Sequence, residues 1–239
     1  MGRALGLSTA YPGGYAEYLH TYPKMVMKLP ANVSFEEGAM VEPTAVAIHG
    51  INVTNIKVGD HVLIVGAGII GCLCEMFAKM KGSSYVTISE ANELRGKKAV
   101  KSGVADEYFN ALDENFTKNV TKNNPYGYDV ALDYCVNGPT LTSAINAVKN
   151  GGNVVMVGVS LKPETVPTGR IALKEINLKG SFSYTPEEFA QALDLMTKKL
   201  IDVTKFIDDT VSLDEVQDAF MRLTSSKDDA IKIVIDPNK

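Results

Sequence analysis

Three glycines and one acid are the residues of this sequence whose types and spacing could do chemistry. Gly66, Gly68 and Gly71 form a G-x-G-x-x-G pattern, and Glu90 follows Gly71 by 19 positions. In this pattern the glycines allow a tight turn, close approach of the backbone to a pyrophosphate, and close packing of a helix on its strand. The acid is spaced to accept hydrogen bonds from ribose hydroxyls. These residues predict a dinucleotide site; the alternative is a glycine-rich turn that binds no ligand.

The segments on either side of the glycines are the elements that such a site needs. His61–Val65 is a short apolar run typical of a strand. Residues 69–80 carry apolar side chains at three- and four-residue spacing, which indicates a helix with one buried face. A strand, a turn and a helix therefore follow one another directly, and the helix start would present free N–H groups to the phosphates.

Strands and helices alternate through the rest of the chain. Further strands are predicted at residues 85–89, at Tyr108, and at 129–134, 153–157, 176–182 and 231–235. Helices are predicted at residues 92–101, 113–122 and 140–149, and after the capping patterns at Thr185 and Ser212. This alternation is typical of a parallel sheet covered by helices on both faces. The predicted fold class is therefore α/β, with a doubly wound parallel sheet of the Rossmann type.

Ligands of doubly wound sheets lie past the carboxyl ends of the strands. The ends to examine are Gly66, Glu90, Cys135, Gly158 and Phe182.

The first fifty residues follow a different pattern. Residues 12–14 are a turn, and residues 15–22 are rich in aromatic residues and strand-like. A short helix begins at Ser34, and Glu42-Pro43 opens a longer one over residues 44–50. We expect a β-rich unit with a linking helix over residues 1–50 and a dinucleotide-binding domain over residues 51–205. Residues 206–239 would add a helix and a strand that return toward the first unit.

Composition argues against several kinds of partner. Hydrophobic residues make up 45% and charged residues 22% of the 239, which is typical of a soluble globular protein. A net charge of −4 disfavours nucleic acid, whose binding proteins carry basic patches. No apolar run has membrane length, no signal peptide is present, and the three cysteines are an odd number. We therefore expect a cytoplasmic protein with no nucleic-acid or membrane partner.

Six segments together resemble the medium-chain, zinc-type alcohol and polyol dehydrogenases, the family that includes sorbitol and threonine dehydrogenases. In family order they are GGYAEY, KLPANVSFEEGAMVEPTAVAIHG, KVGDHVLIVGAGIIG, GGNVVMVG, KEINLKGSFSY and IKIVIDP. The resemblance implies an NAD-dependent oxidoreductase that moves hydride between nicotinamide and a secondary alcohol or ketone, with zinc as the Lewis acid. It also implies a homodimer or homotetramer.

The resemblance assigns a role to each part of the candidate site. It puts the pyrophosphate on the glycine turn, the adenosine ribose on Glu90 with Arg95 beside it, and the nicotinamide against residues 157–159 and 181–183. The cofactor-binding residues predicted in this way are Gly66, Gly68, Ile69, Ile70, Gly71, Glu90, Arg95, Cys135, Val136, Val157, Gly158, Val159, Ser181, Phe182 and Ser183.

Glu42 falls where the family places a ligand of the catalytic zinc, or an acid next to it. This makes Glu42 the candidate catalytic and metal residue. The alternative is a carboxylate that stabilises the start of a helix.

Several positions depart from the family pattern. Members begin with a domain of roughly a hundred residues or more that supplies zinc-binding cysteine and histidine. This sequence starts after that domain, so residues 1–50 would be a remnant of a β-rich catalytic domain. His20, His49 and His61 match no expected ligand position, Val136 replaces a usual glycine, and Ser183 replaces an arginine frequent in polyol dehydrogenases. We therefore expect NAD as the cofactor and absent or weak zinc binding.

Three functions stay open from the sequence. The first is an alcohol or polyol dehydrogenase, and the second is a truncated, catalytically inactive module that binds NAD. The third is a zinc-free quinone reductase of the same broad fold. The turn Gly66-Ala67-Gly68 disfavours this third function, because that branch resembles Ala-Ala-x-x-Gly at the turn.

Overall fold

A six-stranded parallel sheet organises the chain in the computed structural model, which describes Gly6, residues 12–122 and residues 124–239. Its strands are β1 (His61–Val65), β2 (Tyr85–Glu90), β3 (Glu107–Asn110), β4 (Tyr128–Asp133), β5 (Val148–Met156) and β6 (Asn177–Gly180). Their order is β3-β2-β1-β4-β5-β6, and every neighbouring pair is parallel. The predicted doubly wound α/β fold is confirmed. The strand order reverses between β1 and β4, where sheets of this kind bind ligands.

Helices cover both faces of this sheet. They are α1 (Phe35–Ala39), α2 (Val41–Val53), α3 (Ile69–Met80), α4 (Glu93–Lys101), α5 (Phe116–Val120), α6 (Gly138–Ala147), α7 (Thr168–Leu173), α8 (Pro186–Thr197) and α9 (Val216–Thr224). Single turns of 3-10 helix lie at Pro23–Met25 and Thr204–Phe206. None of the described helices is long and apolar enough to cross a membrane.

Alternate side chains of β1 enter two different cores. Val62 and Ile64 pack with residues of α2, α3 and α8, whereas Leu63 and Val65 pack with residues of α5 and α6. A strand that is buried on both faces has a continuous apolar sequence. This double burial explains why the run HVLIV predicts β1 correctly.

The strand predicted at residues 15–22 is wrong. Residues 14–17 are bends, residues 18–22 have no regular structure, and no strand pairs with this stretch in the described part of the chain. Aromatic residues favour strands only where a neighbouring strand gives them something to pack against. The described part of residues 1–50 contains no strand, so its predicted β-rich character is not found there. Residues 1–5 and 7–11 of that unit lie outside the described residues.

Residues 207–235 form a small C-terminal unit. β7 (Ile207–Val211) and β8 (Lys232–Ile235) pair in parallel as a second sheet, with α9 between them in the chain. The sequence predicts the helix and β8 but misses β7, because its middle residues Asp208 and Asp209 interrupt the apolar pattern. Phe35 and Ala39 of α1 share a cleft with Ile235 and Pro237. The unit therefore lies against the first helix, while the domain limits at residues 50 and 205 stay a prediction.

Candidate functional site

The turn after β1 has the backbone geometry that favours its glycines. Gly66 has a φ of +110°, a backbone conformation that residues with a side chain rarely adopt. Its N–H donates to the Ser89 carbonyl oxygen at 2.8 Å. A Cβ added at Gly71 would lie 2.0 Å from the Gly66 carbonyl oxygen, so only glycine lets α3 pack this closely on the turn. A Cβ added at Gly68 would meet nothing within 4 Å. The space in front of Gly68 is therefore open to a ligand.

The N-terminus of α3 is suited to an anion. Gly68 is its N-cap, no described side chain caps the helix, and its first turn holds no acidic residue. The first N–H groups of a helix lack intrahelical partners and carry a partial positive charge. A pyrophosphate at this end would therefore find several N–H donors.

The carboxylate of Glu90 is held beside the turn by two backbone groups. Its Oε2 accepts a hydrogen bond from the Ala67 N–H at 2.7 Å, and its Oε1 accepts one from the Asn92 N–H at 2.7 Å. One donor belongs to the glycine turn and the other precedes α4. A carboxylate has about four acceptor sites, so two remain for the hydroxyl groups of a ligand.

A cleft of about 540 Å³ opens beside Glu90 at the carboxyl edge of the sheet. Gly66, Glu90 and Cys135, which stand at the ends of β1, β2 and β4, line it together. The structure thus brings three of the predicted strand ends into one cavity. Volumes of this size are ordinary for small-ligand sites.

The opposite wall of the cleft is formed by residues that were not predicted from the sequence. Ala111 and Leu112 follow β3, Phe116 begins α5, and Pro139 and Ser143 belong to α6. Ala111 and Leu112 could be predicted, because ligands of such sheets lie past the carboxyl ends of the strands and these two residues follow β3. The other three have no signal in a single sequence, because the packing of α5 and α6 decides where they lie.

Asp133 was also missed, although it shapes the turn after β4. It is fully buried, its Oδ1 accepts hydrogen bonds from the N–H groups of Cys135 (2.8 Å) and Val136 (3.0 Å), and its Oδ2 accepts one from the Thr140 hydroxyl (2.7 Å). Burial raises the pKa of Asp133, and these hydrogen bonds oppose that rise. The acid therefore joins β4, the wall of the cleft and the start of α6.

Val136 has a backbone conformation that valine rarely adopts. Its φ is +44°, in the left-handed region where glycine is usual. This left-handed backbone conformation therefore explains why the resembling family usually has glycine at this position. The Val136 side chain is buried, and its Cγ2 lies 3.1 Å from the place where a Cβ of Gly158 would stand. Valine therefore fills the space between the ends of β4 and β5.

The residues predicted to meet the nicotinamide lie beyond β4 along the same edge of the sheet. The N–H groups of Val157 and Gly158 both donate to the Asp133 carbonyl oxygen, at 2.8 and 3.1 Å, and the Ser181 N–H donates to the Met156 carbonyl oxygen at 2.8 Å. The Ser181 hydroxyl is buried and has no hydrogen-bond partner among the described residues. Residues 157–159 and 181–183 do not line the cleft beside Glu90. These residues lie next to the cleft along the same edge of the sheet. A long ligand with two halves could therefore extend from the cleft to these residues.

The structure places Arg95 against the C-terminal unit rather than against the cleft. Its Nη2 donates to the carbonyl oxygen of Leu223 in α9 at 2.5 Å. Arg95 does not line the cleft beside Glu90.

Glu42 stands in the first turn of α2, and its charged neighbour is Lys232 of β8. Burial raises the pKa of Glu42, and the charge of Lys232 opposes the rise. Among the described residues no group of three or more His, Cys, Asp or Glu side chains could hold a metal ion. A catalytic zinc takes three protein ligands, so the donor set around Glu42 does not fit zinc.

Comparison with known proteins gives one family and several relatives. Residues 70–198 match the family described as zinc-binding dehydrogenase. The chain is 29% identical over 231 residues to a sorbitol dehydrogenase of Bacillus subtilis and 30% identical over 228 residues to an (R,R)-butanediol dehydrogenase of Neisseria gonorrhoeae. Each alignment covers 95% of this chain and 64% of the relative. The chain therefore spans slightly less than two thirds of the length of these curated relatives.

Two solved structures agree with this result. The crystal structure of 2R,3R-butanediol dehydrogenase from Bacillus subtilis has a TM-score of 0.83 at 28% identity, and the match covers 95% of this chain and 65% of that one. A structure described as a zinc-binding dehydrogenase from Sinorhizobium meliloti 1021, bound to NADP, has a TM-score of 0.83 at 26% identity and covers 95% and 67%.

Proposed function

Because the chain belongs to the zinc-binding dehydrogenase family, we propose that it binds NAD(H) along the carboxyl edge of its six-stranded sheet. The site would serve an oxidoreductase that moves hydride between nicotinamide and a small secondary alcohol or ketone. The observation that carries the proposal is the Glu90 carboxylate, which two backbone N–H groups fix beside an uncapped helix start.

Each part of the dinucleotide has a matching part of the site. The N–H groups after Gly68 would bind the pyrophosphate, and the two free acceptor sites of Glu90 would bind the ribose hydroxyls. The apolar wall that includes Leu112, Phe116 and Pro139 suits the flat adenine ring. The buried Ser181 hydroxyl, which has no described partner, offers a hydrogen bond to the carboxamide of the nicotinamide.

The chain's own residues would bind and orient the reacting ring. The nicotinamide cofactor supplies hydride transfer when it is bound. Gly158 lets the ends of β4 and β5 come close, because a Cβ there would lie 2.4 Å from the Tyr134 carbonyl oxygen. Val136 and Val157 are buried beside it, and they would exclude water from one side of the ring.

We expect NADH to bind more tightly than NADPH. A 2′-phosphate placed about 4 Å from the Glu90 carboxylate would meet a repulsion of roughly 4 kcal/mol at an effective dielectric constant of about 20. Calorimetric titration with both cofactors measures the difference between their affinities. Glu90→Gln removes the charge at nearly constant size, so it should reduce this difference. Tighter binding of NADPH would remove this role from Glu90.

A second candidate function is a module that binds NAD without turnover, which the surroundings of Glu42 favour. Lys232 is the charged neighbour of this acid, and the described residues provide no three-ligand metal group. Without a Lewis acid, several kcal/mol of charge stabilisation would be missing from alcohol oxidation.

Under this second candidate function, the 239-residue chain should form NADH from secondary alcohols only at the background rate, even with added zinc. The assay uses polyols, threonine and simple secondary alcohols, with elemental analysis of the same samples. Clear turnover together with about one zinc per chain would refute this second candidate and support the dehydrogenase.

We also propose that the chain forms a homodimer or homotetramer through the β6 edge of the sheet. β6 pairs only with β5 among the described strands, and Leu173 and Phe182, on either side of it, are 84% and 58% exposed. Unpaired edges and exposed apolar side chains favour association. Light scattering should show a dimer or larger species that Leu173→Glu dissociates. Leu200→Glu, the same change at another exposed leucine (61% exposed), should not dissociate it. A wild-type monomer at high concentration would contradict the proposal.

A further inference from the structure

Asn92 connects the proposed ribose acid with the C-terminal unit. Its backbone N–H donates to Glu90 Oε1 at 2.7 Å, as described above. Its side-chain Nδ2 donates to the carbonyl oxygens of Asp228 (2.9 Å) and Ser225 (3.3 Å). Asn92 is only 8% exposed, so these bonds are shielded from water.

The remaining side-chain atom of Asn92 caps α4. Its Oδ1 accepts hydrogen bonds from the N–H groups of Leu94 (3.0 Å) and Arg95 (3.3 Å). Both polar atoms of the side chain are therefore used, one to begin the helix and one to bind the loop at residues 225–228. The capping role alone would not need the amide nitrogen, because an aspartate or serine caps a helix as well as an asparagine does.

Two more residues on the same face of α4 contact the C-terminal unit. Arg95 binds the Leu223 carbonyl oxygen, and Lys98 forms an ion pair with Asp208 and lies 3.4 Å from Asp229 Oδ2. Positions 92, 95 and 98 are three residues apart, so they lie along one side of the helix. The C-terminal unit is thus docked along α4, and only Asn92 in this row also donates to Glu90.

The loop that receives Asn92 is itself held in place. Arg222 donates to Asp228 Oδ2 at 3.1 Å and to Asp209 Oδ2 at 2.7 Å, and the Ala230 N–H donates to Asp228 Oδ1 at 2.9 Å. The loop is therefore fixed through Arg222 to α9 and β7, and it offers Asn92 a rigid support.

We propose that Asn92 is a positioning residue for the cofactor: it ties residue 92 to the C-terminal unit and thereby holds the N–H that orients the Glu90 carboxylate. The inference rests on the proposed function, in which Glu90 binds the ribose. The terminal torsion of a glutamate is broad, so the carboxylate plane is set by its two donors, Ala67 and Asn92. If residue 92 moves, one donor is lost and the carboxylate turns away from the ribose hydroxyls.

Asn92→Asp separates the two side-chain roles. An aspartate keeps the oxygen that caps α4 but loses both donations to the loop, and its carboxylate would face the carbonyl oxygens of Ser225 and Asp228. Two variants serve as controls. Lys98→Met removes a neighbouring contact between α4 and the C-terminal unit without touching Glu90, and Thr185→Ala removes the N-cap of α8.

Dissociation constants for NADH and NADPH and the melting temperature are measured for all four proteins. Asn92→Asp should weaken NADH binding about tenfold, the value of one charge-assisted hydrogen bond, and should reduce the preference for NADH over NADPH by a similar factor. Lys98→Met and Thr185→Ala should lower the melting temperature without changing the preference.

The possible outcomes separate the inference from the proposed function. An unchanged preference in Asn92→Asp, or an equal loss of preference in Lys98→Met, would overturn the positioning role. A wild-type protein that does not bind NADH would instead refute the proposed function. If Asn92→Asp does not fold, Asn92→Ser gives the same comparison, because serine caps the helix but is too short to reach the loop.

Discussion

Replacing Gly71 by alanine should destabilise the protein by about 3 kcal/mol or more and abolish NAD(H) binding. The added Cβ would lie 2.0 Å from the carbonyl oxygen and 3.2 Å from the carbonyl carbon of Gly66. These are backbone atoms, so no side-chain rotation relieves the clash, and α3 would have to move away from β1. Urea denaturation measures the change in the free energy of unfolding.

Gly68→Ala is the matched control in the same turn. Gly68 has a φ of −74°, and an added Cβ meets nothing within 4 Å, so the free energy of unfolding should stay within about 0.5 kcal/mol of the wild-type value. The methyl group would nevertheless occupy the space through which a pyrophosphate approaches the helix start, so NADH binding should weaken. Wild-type stability in Gly71→Ala would show that α3 can shift at no cost, and would contradict the close packing inferred here.

Glu75→Met should raise the free energy of unfolding by about 2 kcal/mol at pH 7. Glu75 lies in the middle of α3, is fully buried, and neither of its carboxyl oxygens has a hydrogen-bond partner among the described residues. Burial raises the pKa of Glu75 well above its usual value, so the fold favours the neutral carboxyl group over the charged one. Methionine has a similar length and no group that requires hydration.

The pH dependence of this effect has a definite sign. A carboxyl whose pKa is higher in the folded than in the unfolded state stabilises the fold below the unfolded pKa, and this contribution is lost as the pH rises. The advantage of Glu75→Met over the wild type should therefore widen as the pH rises above the usual value of 4.5. Glu187→Met, at an exposed position of α8, is the control measured over the same pH range. A constant difference between pH 4.5 and pH 8 would mean that Glu75 finds solvent or a partner in the fold.

β1 and the glycine turn could be predicted because the local sequence preference and the tertiary packing favour the same structure there. β1 is buried on both faces, so its sequence is apolar throughout, and the close approach at Gly71 permits no other residue. Glu90 could be found by its spacing from the turn. Its partners could not, since the N–H groups of Ala67 and Asn92 reach it only in the folded geometry.

Prediction failed where a residue's role depends on distant parts of the chain. Residues 15–22 have the composition of a strand, but none of the described strands pairs with them. β7 is a strand in the structure, but its aspartates interrupt the apolar pattern by which a strand is predicted. Phe116 and Pro139 line the cleft only because α5 and α6 pack on the sheet beside β4. Asp133 lay within the strand predicted at residues 129–134, but its hydrogen bonds to Cys135, Val136 and Thr140 could be seen only in the structure.

The contacts of Asn92 also bear on when the site becomes complete during synthesis. Its bonds to Ser225 and Asp228 join residues 133 and 136 positions apart in the chain. Contacts of such long sequence separation close large loops and form late, whereas the turn between β1 and α3 is local and can form early. The ribosome synthesises the chain from the N-terminus, so the glycine turn emerges long before residues 225–228. The proposed phosphate-binding half of the edge would thus form first, and Glu90 would gain its full support only after the C-terminal unit has docked.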